Sequence, residues 1–136
     1  MKKMNNEIDI KDKRFEIFIS EAEIASIVTD ISNKINNSRI KDPVFIAVLN
    51  GSFLFAADIM RQINIPNCEI SFIKLSSYSG TKTTGSVQEL IGLGKNIKNR
   101  NIVILEDIID TGITLEKIIS LLSKENVADI KIATLL

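Results

Sequence analysis

One segment leaves the chain few folds to choose from: Ile102-Val103-Ile104-Leu105-Glu106-Asp107-Ile108-Ile109-Asp110-Thr111-Gly112-Ile113-Thr114-Leu115. An apolar run long enough for a strand buried on both faces ends in two adjacent carboxylates. A turn carrying Asp110, Thr111 and Gly112 follows, and helical spacing starts near Thr114. Strand, acidic end, turn and helix in that register describe the carboxyl edge of a parallel sheet, where open α/β folds bind their ligands. The turn ahead of the helix leaves backbone N–H groups without partners. Gly112 permits close approach and unusual dihedrals, and Thr111 and Thr114 add hydroxyls. Together they form an anion cradle suited to a phosphate monoester. Three carboxylates beside such a cradle need another task. Glu106 and Asp107 can accept hydrogen bonds from a sugar diol, and a divalent cation can neutralise the cluster.

The rest of the chain agrees with that class. Ser20-Glu21-Ala22-Glu23 is a capping box, and the helix after it carries Ile24, Ile27, Val28, Ile31 and Ile35 until Asn36-Asn37-Ser38 ends it. Val44 to Leu49 reads as a second doubly buried strand, and Asn50-Gly51-Ser52 as a turn. Phe53 to Ile63 reads as a helix with Phe53, Ala56, Ala57, Met60 and Ile63 inward. Glu69–Leu75, Val87–Ile91, Asn101–Leu105 and Asp129–Leu136 are further strands, Ile113 to Lys124 is a helix with Leu115, Ile118, Ile119 and Leu122 inward, and Arg14–Ile19 alternates like a short strand. Residues 1–13 are polar and expected to be flexible. Residues 76–86, rich in Ser, Thr and Gly, have the composition of a long loop. Strands alternating with helices place the chain in the α/β class, with a largely parallel sheet in a single domain over residues 1–136.

Composition removes several kinds of chemistry. The chain has no histidine, which excludes Ser-His-Asp and Cys-His catalysis and histidine-based metal sites within it. A metal here takes oxygen ligands, which suits Mg²⁺. The single cysteine, Cys68, forms no internal disulfide and is expected to be a buried strand residue; this fits a reducing compartment. Lys plus Arg balance Asp plus Glu at 17 each, against nucleic acid as a partner. No apolar run nears the roughly 18 residues of a membrane span, and the polar N-terminus is unlike a signal peptide. The expectation is a cytoplasmic protein with no membrane partner. No Gly-rich Walker pattern ending in Lys-Ser or Lys-Thr occurs, against an ATPase.

The segment from Glu106 to Thr114 resembles the phosphoribosyl-pyrophosphate (PRPP) motif of type I phosphoribosyltransferases. Glu-Asp-Ile-Ile-Asp-Thr-Gly in particular is similar to that of hypoxanthine and hypoxanthine-guanine phosphoribosyltransferases. Val48-Leu49-Asn50-Gly51-Ser52-Phe53 resembles the family's pyrophosphate turn, and Ser77-Tyr78 with Thr83-Thr84-Gly85 its flexible catalytic loop. The likeness runs from about Phe15 to Leu136.

The resemblance implies a type I phosphoribosyltransferase fold, a parallel sheet flanked by helices. It implies transfer of the phosphoribosyl group of PRPP to hypoxanthine or guanine, giving a nucleoside monophosphate and pyrophosphate. By resemblance, Asp110 is the acid–base residue, and the backbone of Asp110, Thr111, Gly112, Ile113 and Thr114 holds the 5-phosphate. Glu106 and Asp107 bind the ribose hydroxyls, directly or through Mg²⁺. Asn50 and Gly51 bind pyrophosphate, and the loop with Ser77 and Tyr78 closes over the site. A homo-oligomer, dimer or tetramer, is implied as well. The sequence departs from the family pattern at Asn50, where many members carry Lys, and at Ile113, where some do. Residues that the family uses to read the purine lie beyond the strand ending at Leu136, so a shortened member lacking the last core strand is expected. The alternative expectation is a PRPP- or nucleotide-binding regulatory module with little transferase activity.

Overall fold

The computed structural model describes residues 7–76, 88–91 and 96–136. Two β-structures and three helices account for most of them. β1 (Glu7–Ile10) and β2 (Lys13–Glu16) form an antiparallel ribbon. Part of the stretch expected to be flexible is therefore paired. The strand expected at Arg14–Ile19 begins and ends earlier, because its pairing register is set by β1 rather than by a core face. All eight ribbon residues are exposed.

The main sheet contains β3 (Val44–Val48), β4 (Glu69–Ser76), β5 (Gln88–Ile91), β6 (Asn101–Glu106) and β7 (Asp129–Thr134), in the order β5-β4-β3-β6-β7. The four strands β4, β3, β6 and β7 run parallel, and β5 is antiparallel to β4. β3 is buried at every position, as its unbroken apolar run requires.

Alternate residues feed two cores, one on each face of the sheet. Phe45, Ala47, Val103 and Leu105 pack with Val28 of α1 (Glu21–Asn37) and with Phe55, Ala56 and Ile59 of α2 (Phe53–Gln62). Val44, Ile46, Ile102 and Ile104 pack with Ile118 and Leu122 of α3 (Ile113–Lys124). α1 opens with the capping box: Ser20 Oγ accepts from Glu23 N–H at 3.2 Å, and Glu23 Oε2 accepts from Ser20 N–H at 2.8 Å.

The inward face of α2 is corrected at Phe53, while Ala56, Met60 and Ile63 pack on the core as expected. Phe53, expected inside, is 57% exposed and Leu54 is 70% exposed, while Phe55 and Ile59 are buried. Its first turn, Phe-Leu-Phe-Ala-Ala, offers more than one apolar stripe, so periodicity alone does not fix the rotation of the helix about its axis. Cys68 is only partly buried and lies just ahead of β4. Among the described residues no helix is long and apolar enough to cross a membrane.

Candidate functional site: the carboxyl edge between β3 and β6

β3 and β6 are adjacent and parallel, in the register Ala47↔Leu105. The helix after β3 packs on one face of the sheet and the helix after β6 on the other. The two connections therefore diverge and leave a crevice at the strand ends, the place where this architecture receives ligands. Every candidate residue in the described part of the chain lies in these two connections or at the ends of the elements they join. Ser77 and Tyr78 lie outside the described residues.

The β6 connection forms a hollow of about 240 Å³, lined by Glu106, Ile108, Ile109, Asp110, Thr111, Gly112, Thr114 and Leu115. Gly112 caps α3 with φ of 79°, the left-handed region that glycine adopts without steric cost. This conformation turns the chain sharply into the helix. The N–H groups of Thr111, Gly112, Thr114 and Leu115 have no acceptor among the described residues, while Ile113 N–H makes a long 3.4 Å contact to Thr111 Oγ1. Unpaired donors at a helix start carry partial positive charge and suit an anion. The outer loop is anchored to Leu136. Leu136 N–H donates to Asp107 C=O, and Ile109 N–H donates to Leu136 C=O, each at 3.0 Å.

At the floor of the crevice, Glu106 and Asp107 are half-buried side by side. Burial, and then the neighbouring Asp107 carboxyl, push Glu106 up to about 7. Two carboxyls crowded in this way favour either a shared proton or a cation. Among the described residues no group of three His, Cys, Asp or Glu side chains is arranged to hold a metal. Two carboxylates suffice for Mg²⁺ when substrate oxygens and water complete its shell, so the donor set fits that ion. Asp110 stands apart from the pair, exposed at the rim of the hollow.

The β3 connection contributes Asn50, Gly51 and Ser52. The Leu49–Asn50 peptide is cis. Ser52 Oγ donates to Val48 C=O at 2.6 Å, and Ser52 N–H donates to the same oxygen at 3.2 Å. The N–H groups of Asn50 and Gly51 have no acceptor among the described residues. Gly51 lies against Asp107: a Cβ on Gly51 would stand 2.8 Å from Asp107 Oδ1 and 2.9 Å from Oδ2. The structure thus joins the two turns that the sequence places more than fifty residues apart.

Sequence reasoning missed Lys74 of β4, whose Nζ donates to Asn50 Oδ1 at 3.2 Å. Nothing in the local sequence marks it, since its place depends on the pairing of β4 with β3. A larger hollow of about 420 Å³ lies at the amino ends of the strands, bordered by Asp42, Glu69 and Arg100. Its polar groups largely satisfy one another. Arg100 donates to Glu69 Oε1 at 2.9 Å and to Asp42 C=O at 2.9 Å and 3.2 Å, which makes it a clasp between strands.

Comparisons with known proteins bear on the family and the fold. A family model described as the phosphoribosyl transferase domain matches residues 19–136. The hypoxanthine phosphoribosyltransferase of Haemophilus influenzae is 40% identical over 132 residues, covering 93% of this chain and 73% of the relative. The hypoxanthine-guanine phosphoribosyltransferase of Staphylococcus epidermidis is 38% identical over 122 residues, covering 88% of this chain and 68% of the relative. A crystal structure of a hypoxanthine phosphoribosyltransferase from Staphylococcus aureus superposes with a TM-score of 0.79 at 34% identity. That match covers 88% of this chain and 65% of the Staphylococcus aureus chain. On the family match, the level of identity and the shared fold, this chain belongs to the type I phosphoribosyltransferases, in their hypoxanthine phosphoribosyltransferase branch.

Proposed function

We propose that this chain is a purine salvage enzyme that transfers the phosphoribosyl group of PRPP to hypoxanthine or guanine. The observation that carries the reading is an anion cradle, Thr111 to Leu115, that shares one hollow with Glu106, whose carboxyl is paired with that of Asp107. The cradle fits a 5-phosphate, and the carboxylates fit the hydroxyls of a ribose attached to it. The names of the relatives favour this reading over a regulatory module.

In the reaction, the bond from ribose C1 to the pyrophosphate oxygen breaks and a bond from C1 to a purine ring nitrogen forms. The nitrogen's proton passes to a base, and pyrophosphate leaves with the bonding electron pair. Asp110, exposed at the rim, is the carboxylate free to meet the purine, and in this proposal it accepts that proton. Glu106 and Asp107 hold the ribose, and they are also the residues that would hold Mg²⁺. A bound Mg²⁺ would offset the charge of the diphosphate. Asn50 and Gly51 offer unpaired N–H groups to the leaving pyrophosphate. A cytoplasmic location and assembly into a dimer or tetramer belong to the same proposal.

A spectrophotometric assay with PRPP, Mg²⁺ and hypoxanthine or guanine tests the reading. Formation of nucleoside monophosphate and pyrophosphate in equal amounts supports it. Absence of product with either base overturns it.

A further inference from the structure

We propose that Lys74 supplies the positive charge of the pyrophosphate subsite, acting beside the Asn50–Gly51 turn. The inference rests on the transferase reading above and names a residue for it.

The placement of Lys74 follows from the sheet. β4 pairs with β3 in the register Val48↔Ile73, and Leu49 N–H extends the ladder by donating to Ile73 C=O at 2.9 Å. Ile73 is 1% exposed and turns into the core beneath α3. The next side chain must leave the sheet on the other face. Lys74 does so two residues before β4 ends, where its ammonium meets Asn50 Oδ1.

An ammonium only donates, so the Asn50 amide presents its oxygen to Lys74. The Asn50 Nδ2 group then has two N–H donors, and no acceptor for them occurs among the described residues. Backbone N–H of Asn50, backbone N–H of Gly51, the Asn50 amide and the Lys74 ammonium thus gather at one turn.

Electrostatics make the cation necessary. The β6 connection carries Glu106 and Asp110 in its hollow, and the Asp107 carboxylate lies 2.8 Å from where a Cβ on Gly51 would stand. A diphosphate approaching the turn meets that negative charge. Mg²⁺ held by the acids would offset part of it, and neutral backbone donors add no net charge. Among the described residues, Lys74 is the cation hydrogen-bonded into the turn. A charge-assisted contact of this kind is worth about tenfold or more in affinity.

The test compares wild type, Lys74→Met and Lys74→Arg in the full chain, with Lys34→Met on the exposed face of α1 as control. Calorimetry measures binding of inorganic pyrophosphate with Mg²⁺ and, separately, of inosine monophosphate, which carries no diphosphate. Lys74→Met is expected to weaken pyrophosphate about tenfold and to leave the monophosphate within about twofold, with Lys74→Arg near wild type. Pyrophosphate affinity unchanged in Lys74→Met overturns the proposal. Equal losses for both ligands also overturn it, because they indicate general damage to the site. A wild-type chain that binds no pyrophosphate overturns it as well. Binding needs no turnover, so a chain that binds pyrophosphate through Lys74 yet transfers no purine refutes the enzyme reading and leaves the subsite standing.

Discussion

Gly51 faces Asp107 so closely that a single methyl on Gly51 would stand 2.8 Å from the Asp107 carboxylate. Atoms at that distance cannot stay where they are. Gly51→Ala is expected to displace the carboxylate and to raise the KM for PRPP about tenfold or more, with a smaller effect on thermal stability. Steady-state kinetics on Gly51→Ala, Asp107→Asn and the double variant check the coupling. Residues in contact give non-additive losses, so the double variant should lose less than the two singles combined. Additive losses would mean that the contact has no role in PRPP binding.

Gly112 tests the cradle from the backbone side. Its φ is 79°, and among the described residues no atom outside its own turn lies within 4 Å of the position a Cβ would take. Gly112→Ala therefore meets no steric obstacle beyond its own dihedral, at a cost of about 1–2 kcal/mol. Denaturant unfolding measures that loss. Binding of inosine monophosphate should weaken in the same variant, because the N–H groups of Thr111 and Gly112 turn with the peptide.

The Glu106 carboxyl makes stability depend on pH. Its folded value is raised from 4.5 to about 7, first by burial and then by Asp107. Between those values the folded chain keeps a proton that the unfolded chain has released. Folded stability therefore falls as pH rises through this window and levels off above it. Glu106→Gln cannot ionise and should flatten that part of the profile. Melting temperatures recorded from about pH 4.5 to 8 decide it, and a slope that survives in Glu106→Gln contradicts the assignment. Mg²⁺ should stabilise wild type more at the alkaline end, since its ligands must be deprotonated.

Arg100 works at the other end of the strands. It holds Glu69 and the Asp42 carbonyl, and it borders no part of the crevice. Arg100→Ala is expected to cost about 1–3 kcal/mol of stability and to leave the KM for PRPP unchanged within about twofold. A loss of PRPP affinity alone, without destabilisation, would assign the clasp a different role.

Much of this fold can be read from local sequence. The helix expected at Ile113–Lys124 has those bounds in the structure, because Gly112 ahead of it is a strong stop for the strand connection. The capping box at Ser20 and Glu23 forms both of its bonds, being a purely local device. The strand Val44–Val48 is legible because a doubly buried strand needs an unbroken apolar run. Where the outcome depends on distant partners, local reading falters. The rotation of α2, which exposes Phe53 and buries Phe55, is set by the sheet beneath it. The ribbon of β1 and β2 has no apolar face in the core to announce it. Within the site, Glu106, Asp107, Asp110 and the cradle are contiguous and therefore visible in the sequence. The approach of Gly51 to Asp107, and of Lys74 to Asn50, comes only from the parallel pairing of β3 with β6 and β4.

Turnover of PRPP with hypoxanthine in the presence of Mg²⁺, measured for wild type and Asp110→Asn, addresses the central claim most directly. The expected result is product formation by wild type and a loss of about 10²-fold or more in kcat for Asp110→Asn. Binding of inosine monophosphate should be retained in that variant. Equal rates in the two proteins would contradict the role of Asp110, and absence of product in wild type would contradict the transferase reading itself.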